Sequence, residues 1–151
     1  RIEAGLLSAG QDFDKNTNPF SVGLGKFVDL EKENFIGKEA LMAAEKKCKT
    51  WGIRIKDGIA LKGDSLKING EKVGKVTSST WSPYQVCGVG IVHMNNYNLG
   101  PGTIVEVTCI DGQIKIGELC KLPMYDPKGE IVRGINKEIP LKPNPWKGLS
   151  K

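Results

Sequence analysis

Two short turn sequences limit how this chain can fold more than any other feature. Asn69-Gly70 and Asp111-Gly112 each lie between two runs in which apolar and polar residues alternate. An Asn-Gly or Asp-Gly pair between such runs is the strongest short-range signal for a β-hairpin. The two hairpins together predict four strands, at 66–68, 72–76, 103–110 and 113–121.

A two-residue turn in each hairpin would fix which side chains lie opposite one another. In the first hairpin Leu66 would face Val73, and in the second Val107 would face Ile116. Cys109 and Cys120 would not be opposite each other, so we expect no disulfide across the second hairpin.

Other segments predict further strands and one helix. Residues 51–55 alternate as a strand, 88–94 form a short apolar run typical of a buried strand, and 24–30 alternate more weakly. Residues 37–47 place apolar side chains on one helical face, with lysines in the last turn, and predict a helix. About six short strands with a turn signal roughly every ten residues predict a small antiparallel β-barrel or jelly roll.

The character of the chain changes near Cys48. Before it lie the helix and a weak strand, and after it the pattern is all-β to about residue 122, so the fold class is α+β. The tail that follows contains five of the eight prolines and is expected to be irregular. The chain starts at Arg1 within what reads as the middle of a longer sequence, and we expect a fragment of a larger protein.

Charge and composition exclude several functional classes. The net charge of +5 comes from scattered lysines, with arginine only at Arg1, Arg54 and Arg133, so we expect no nucleic-acid partner. No apolar run approaches the roughly 20 residues that span a bilayer, so we expect no membrane partner. The four cysteines lack the C-x-x-C spacing and His93 is the only histidine, so we expect reduced thiols and no metal site. From the residues alone, the chain reads as a binding or lid module.

Several segments of the chain together form an ordered set of motifs. They are Arg1 to Ser8, Asn18-Pro19-Phe20, Gly23 to Leu30, Phe35 to Leu41, Gly74 to Ser78 with Ser82-Pro83, and Leu122 to Pro127. In this order they resemble the glycine cleavage T-protein or aminomethyltransferase family, and the barrel portion resembles the family's G-x-[VI]-T-S…S-P strand and its closing P-[FM]-Y-D-P sequence. The resemblance also extends to the folate domain of dimethylglycine dehydrogenase and to dimethylsulfoniopropionate demethylase.

The resemblance implies a protein more than twice this length that binds tetrahydrofolate and transfers a one-carbon unit. Residues 1–47 would be the C-terminal part of a split, ferredoxin-like middle domain, 48–127 the C-terminal barrel, and 128–151 an irregular tail. The catalytic aspartate would lie upstream of this chain, which leaves no catalytic residue here and an inactive fragment. The implied partners are the N-terminal portion of the same protein and the lipoyl-carrying H-protein, in the cytoplasm or the mitochondrial matrix.

The resemblance also implies folate contacts in this chain. Arg1 matches an arginine that binds the glutamate tail, a role that suits a guanidinium because it recognises a carboxylate through two hydrogen bonds. Glu3 lies in the same motif, and Tyr125 lies in the closing segment that lines the channel. The alternatives are that Arg1 pairs with an acid such as Glu3 or is disordered, and that Tyr125 is structural. Trp81 is a further candidate, for which we expect packing in the core. Asp126 stands where some T-proteins carry an arginine, which resembles the dehydrogenase-linked and demethylase branches.

Two other functions remain open on these residues. The chain could belong to a demethylase or a non-catalytic folate-fold binding or regulatory protein of the same family. It could also be a free-standing β-barrel interaction module, in which case residues 48–122 would unfold cooperatively by themselves.

Overall fold

Six short strands form a closed antiparallel barrel, which confirms the predicted barrel architecture. The computed structural model describes residues 1–138 and 140–149. Around the barrel the strands follow the order β1-β4-β3-β2-β5-β6, and β6 pairs with β1 to close it. The strands are β1 Thr50–Ile55, β2 Ser65–Ile68, β3 Glu71–Ser82, β4 Cys87–Met94, β5 Ile104–Thr108 and β6 Ile114–Cys120.

The first predicted hairpin is present, with a bulge that the sequence did not reveal. Asn69 and Gly70 have φ values of 50° and 82°, the left-handed conformation that both central residues of a type I′ turn require. A register shift between Leu66 and Lys67 then places Leu66 opposite Gly74. The predicted pairing of Leu66 with Val73 is therefore wrong by one residue, because a bulge adds a residue to one strand.

The second hairpin has a three-residue loop in place of the predicted two-residue turn. The Gly112 N–H donates to the Cys109 carbonyl (2.9 Å), and Gly112 itself has a φ of 77°, as in a type I turn closed by a left-handed glycine. Val107 consequently lies opposite Lys115, and its predicted pairing with Ile116 is wrong. Because a shift of one residue reverses the face of a strand, Ile116 points outward and is 44% exposed.

Apolar side chains fill the barrel interior. Every strand contributes inward-facing residues, and loop residue Ala60 closes one end. The buried residues of this cluster are Ile53, Ile55, Ala60, Leu66, Val76, Val92, Met94, Val105, Val107, Cys109 and Leu119.

A second apolar cluster lies on the outer side of the barrel, where the first and last segments of the chain cover it. Its buried members are Ile2, Cys87, Val89, Ile91, Cys120 and Met124, with Leu7, Leu122 and Trp146 packed against them. Strand β4 therefore has buried residues on both faces, which explains its continuous apolar sequence.

Residues 1–49 consist mainly of turns around two short helices. One is a 3₁₀-helix, Gly25–Phe27, within the segment 24–30 that was predicted as a strand; that prediction is wrong. Gly23 has a φ of 77°, and the Leu24 N–H donates to the Pro19 carbonyl (2.8 Å). These features turn the chain back on itself, which an extended strand cannot do.

The predicted helix over 37–47 is present but short. Helix α1 spans Lys38–Ala43 and stops because Ala44 is extended, with φ −69° and ψ 149°. Lys46 Nζ donates to the carbonyls of Leu41 and Met42, both at 2.7 Å. A lysine side chain thus satisfies carbonyls that the helix leaves unpaired at its C-terminus.

The four cysteines and the tail complete the architecture. All four cysteines are free thiols, and three of them are buried.

In the part of the tail that the structure describes, 128–138 and 140–149, no helix or strand is formed. The tail crosses the barrel surface where Asn144 N–H donates to Tyr84 O (2.8 Å) and Trp146 N–H to Gln85 O (2.7 Å). Among the described residues, no helix has the length and apolar character needed to cross a membrane.

Candidate functional site

Arg1 is held against strand β3 by a set of short polar contacts. Its guanidinium donates to the Asp12 carboxylate (2.9 Å), to Ser78 Oγ (2.7 Å) and to the Leu6 carbonyl (2.8 Å). Of the two alternatives left by the sequence, pairing with an acid is what the geometry shows, and the acid is Asp12 rather than Glu3. The Arg1 side chain is still 34% exposed, so a ligand can reach it.

Asp12 is the buried centre of this network. Besides Arg1, its carboxylate accepts hydrogen bonds from Thr77 Oγ1 (2.6 Å), Ser78 Oγ (2.7 Å) and the Ser8 N–H (2.9 Å). Burial alone would raise the pKa of Asp12, but these donors outweigh it and the pKa lies below its ordinary value. Asp12 is therefore a carboxylate at neutral pH, and it fixes the direction in which Arg1 points.

Glu3 connects the start of the chain to the closing segment of the barrel. Its side chain accepts a hydrogen bond from Ser82 Oγ. Its main-chain carbonyl accepts from the N–H groups of Met124 (2.8 Å) and Tyr125 (3.1 Å). The structure thus brings two of the sequence-predicted site residues, Glu3 and Tyr125, into direct contact through the backbone.

Tyr125 packs edge-on against Tyr84, with ring centroids 5.0 Å apart and an angle of 76° between the rings. Edge-to-face pairs of this kind stabilise aromatic clusters. The neighbouring Asp126 has a structural part, since its carboxylate accepts the N–H groups of Glu130 (2.8 Å) and Ile131 (3.0 Å) in the first turn of the tail.

The three predicted site residues lie along one outer strip of the barrel, beside strand β3 and the loop that follows it. Arg1 contacts Ser78, Glu3 contacts Ser82, and Tyr125 contacts Tyr84. Ser78 and Ser82 are four residues apart on one strand and share a face because side chains alternate along it. The predicted core position of Trp81 is wrong, because that side chain is 37% exposed at the end of β3.

Asp12 was not identified as a site residue from the sequence. A signal for its partners was present, because Thr77 and Ser78 belong to the G-x-[VI]-T-S motif that carries part of the family resemblance. Thr77 lies within the register shift between Val76 and Ser78, so that both hydroxyls reach the same carboxylate oxygen. The motif therefore binds the N-terminal segment to the barrel.

A cleft of about 430 Å³ lies between the N-terminal segment and the end of the barrel. Its lining is largely apolar, and includes Leu6, Leu24, Phe27, Trp51, Leu122 and Pro123. Phe27 is 74% exposed beside it, so this side of the molecule presents unpartnered apolar surface next to the Arg1 strip.

The thiols offer no activated nucleophile at this site. Burial, partly offset by Arg54, raises the pKa of both Cys87 and Cys120 to about 11, so both are protonated at neutral pH. Within the described ranges, no group of three or more His, Cys, Asp or Glu side chains is arranged to hold a metal ion.

Comparison with known proteins extends the similarity over nearly the whole chain. An aminomethyltransferase of Thermotoga sp. (strain RQ2) is 35% identical over 144 residues, which are 93% of this chain and 34% of that protein. A trimethylamine-oxide aldolase of Ruegeria pomeroyi is 34% identical over 139 residues, which are 85% of this chain and 17% of that protein. The chain thus spans about a third, or less, of the length of these curated relatives.

A solved structure has a similar fold over most of this chain. The crystal structure of the glycine cleavage system aminomethyltransferase T from Bartonella henselae superposes with a TM-score of 0.71 at 26% identity. The superposition covers 84% of this chain and 37% of that one. Residues 49–126 match the family model described as the glycine cleavage T-protein C-terminal barrel domain, and this chain belongs to that family.

Proposed function

We propose that this chain is the C-terminal portion of a tetrahydrofolate-dependent one-carbon transferase of the aminomethyltransferase type. The observation that supports this most is the 35% identity to the Thermotoga aminomethyltransferase, because it covers 93% of the chain and so reaches beyond the barrel. The reaction expected of the whole protein is transfer of a methyleneamine carbon from a lipoyl arm to tetrahydrofolate, with release of ammonia. The cell compartment expected is the cytoplasm or the mitochondrial matrix.

In this proposal Arg1, Glu3 and Tyr125 contact the folate. The contacts of Arg1 fit the role, since Asp12 and Ser78 orient the guanidinium while about a third of the side chain stays exposed. A pre-oriented guanidinium loses less rotational freedom when it binds a carboxylate. Asp12 offsets part of the positive charge, so we expect Arg1 to contribute mainly through directional hydrogen bonds.

The test separates folate binding from the structural pairing of Arg1. In the whole protein, Arg1→Ala should weaken tetrahydrofolate binding by about 1–3 kcal/mol, the usual cost of losing a charged hydrogen-bond partner. Arg133→Ala removes another exposed guanidinium and is the matched control for binding, while urea unfolding of Arg1→Ala measures the cost of losing the structural pairing with Asp12. Titration calorimetry under anaerobic conditions measures binding by both variants, and an affinity that Arg1→Ala leaves unchanged would remove Arg1 from the folate site.

This chain is expected to need an N-terminal portion of the same protein for activity. We propose that residues 1–47 complete a ferredoxin-like middle domain with an N-terminal portion that also carries the catalytic aspartate. The exposed apolar surface around Phe27 supports this, since exposed apolar patches of this kind usually bind another protein surface. The lipoyl-carrying H-protein is the proposed donor partner, and the chain by itself is expected to be inactive.

One relative supports a second candidate for the donor of the one-carbon unit. The Ruegeria protein that is 34% identical to this chain is named a trimethylamine-oxide aldolase, so a similar portion occurs in a protein whose name gives a different substrate. Demethylase chemistry would leave the folate contacts unchanged and replace the lipoyl arm with a free methylated substrate. Assay of the whole protein with each donor distinguishes the two, because only the lipoyl donor releases ammonia.

A further inference from the structure

His93 lies between two small clefts on the outer surface of the barrel. One cleft, of about 180 Å³, is lined in part by Thr17, Lys49 and Tyr97. The other, of about 200 Å³, is lined in part by Thr17 and Lys75. The imidazole of His93 and the Thr17 side chain border both clefts, so the two spaces share one wall.

The strand register brings the basic groups of this wall together. His93 on β4 pairs with Thr50 on β1 and with Lys75 on β3. Directly paired residues of neighbouring strands project on the same face, with their Cβ atoms about 5 Å apart. Lys49 immediately precedes β1 and places its Nζ 5.3 Å from the centre of the Tyr97 ring. Lys49 and Lys75 thus lie on either side of His93, with Lys49 lining the first cleft and Lys75 the second.

The imidazole of His93 is held in orientation by a hydrogen bond at one of its two ring nitrogens. His93 Nδ1 lies 2.9 Å from Thr50 Oγ1, and among the described residues Nε2 has no hydrogen-bond partner. Burial lowers the pKa of His93, and the charges of Lys49 and Lys75 lower it further. The cations of this wall at neutral pH are therefore the two lysines.

Two carboxylates lie close by, and both have other partners. Asp14, which acts in the opposite direction on the pKa of His93, accepts hydrogen bonds from the Asn16 N–H (2.9 Å) and Thr17 Oγ1 (3.0 Å). Asp12 borders the second cleft and is paired with Arg1. Asp14 keeps its negative charge, and Lys75 helps to lower its pKa, so the two lysines together with Asp14 leave the wall one net positive charge.

We propose that the clefts around His93, Lys49 and Lys75 bind a small multivalent oxyanion, such as a phosphate group or a short dicarboxylate. Lysine ammonium groups and hydroxyls are the groups that proteins use to bind such anions. Each cleft by itself is too small for a nucleotide or a drug-sized ligand, which occupy pockets of about 300–1,000 Å³. The site adjoins the folate contact proposed for Arg1, because Asp12 borders the second cleft, but its test needs no folate.

Because His93 is the only histidine of the chain, its NMR signals report on this site without ambiguity. Sulfate stands in for a phosphate group, since it stays doubly charged over the whole titration range, and glutarate stands in for a dicarboxylate. Each is added to the full 151-residue chain against sodium chloride at equal ionic strength. A bound anion favours the imidazolium, so it should raise the pKa of His93 and saturate with concentration.

The variants Lys49→Ala and Lys75→Ala should each weaken the apparent affinity about two- to fivefold, the range expected for one exposed charge pair. Lys62→Ala, an exposed loop lysine, is the matched control and should leave it unchanged. Saturation by sulfate assigns the site to phosphate-like ligands, and stronger saturation by glutarate assigns it to dicarboxylates. The proposal is overturned if neither anion differs from chloride, or if the double lysine variant responds as the unmodified chain does.

Discussion

At the scale of single residues, Asp12 determines how the first segment of the chain is attached to the barrel. Asp12 is 3% exposed, and its carboxylate accepts hydrogen bonds from four donors: two hydroxyls, a backbone N–H and a guanidinium. A buried carboxylate persists as an anion only when its charge is matched in this way. The same contacts position Arg1, so the stability of this segment and the proposed folate contact depend on one side chain.

The lowered pKa of Asp12 predicts a particular dependence of stability on pH. Since the folded-state pKa lies below the unfolded value of about 3.9, the stabilisation is present above that value and is lost as pH falls through the folded pKa. Asp12→Asn should cost about 2 kcal/mol at pH 7 and flatten the loss of stability below pH 4. Urea unfolding at pH 3 to 7 measures this, with exposed Asp29→Asn as the control that should keep the acid slope unchanged.

The buried thiols predict how the stability of the fold changes at alkaline pH. The pKa of about 11 for Cys87 and Cys120 exceeds the ordinary value near 9, so the folded state holds protons that the unfolded state releases. Stability should therefore fall as pH rises from about 9 towards 11, by at most about 3 kcal/mol for each thiol. A variant with both cysteines changed to alanine should show a flatter decline between pH 8 and 10 in urea unfolding. An unchanged slope would mean that these thiols ionise as easily in the folded protein as in the unfolded chain.

At the scale of secondary-structure elements, strand β4 contributes several residues to each of the two apolar clusters. One face points into the barrel and the other supports the terminal segments. Its glycines make room for close neighbours, most clearly at Gly88, where an added Cβ would lie 1.7 Å from the Gly58 carbonyl oxygen. No side-chain rotation can relieve that contact, because the opposing atom belongs to the backbone.

Gly88→Ala should therefore destabilise the barrel by about 3 kcal/mol or more, the upper range for overpacking in a core. Gly100→Ala is the matched control, since its Cβ would meet only the Trp51 ring at 3.7–3.9 Å, an ordinary contact distance. Thermal unfolding of the two variants gives the comparison. Equal midpoints would show that the approach of the Gly58 loop to β4 is not as close as the structure describes.

The elements also show which parts of the fold could be predicted from sequence. Asn69-Gly70 specified its turn fully, because both residues must be left-handed in a type I′ turn and few other pairs allow this. The register beyond it could not be predicted, since the bulge at Leu66 depends on pairing across the barrel. The weak alternation of 24–30 gave a wrong strand because the glycines there serve a tight turn.

The candidate site was predictable only in part. Arg1, Glu3 and Tyr125 were found through the resemblance of their motifs, and the structure places them on one strip. Asp12 lies 65 residues from Thr77 in sequence, and no local pattern indicates that a loop carboxylate will be buried against a strand hydroxyl. Long-range polar networks of this kind depend on the finished fold.

At the scale of the whole molecule, the apolar surface beside the cleft is the feature that most needs a partner. Phe27→Asp should weaken association with the proposed N-terminal portion more than tenfold, because a charge would be buried in an apolar contact. Val132→Asp, on a side chain that is 84% exposed in the tail, is the control and should leave association unchanged. Co-purification and sedimentation of the two portions measure the effect. Equal association for both variants would place the contact elsewhere on the chain.

The measurement that tests the central claim most directly is the release of ammonia from aminomethyl-loaded H-protein, with and without tetrahydrofolate. It is made on the chain alone and on the chain together with the N-terminal portion. We predict release that depends on tetrahydrofolate when both portions are present, and none from the chain alone. Folate-independent release, or no release together with no tetrahydrofolate binding by the combined portions, would contradict the assignment to a folate-dependent transferase.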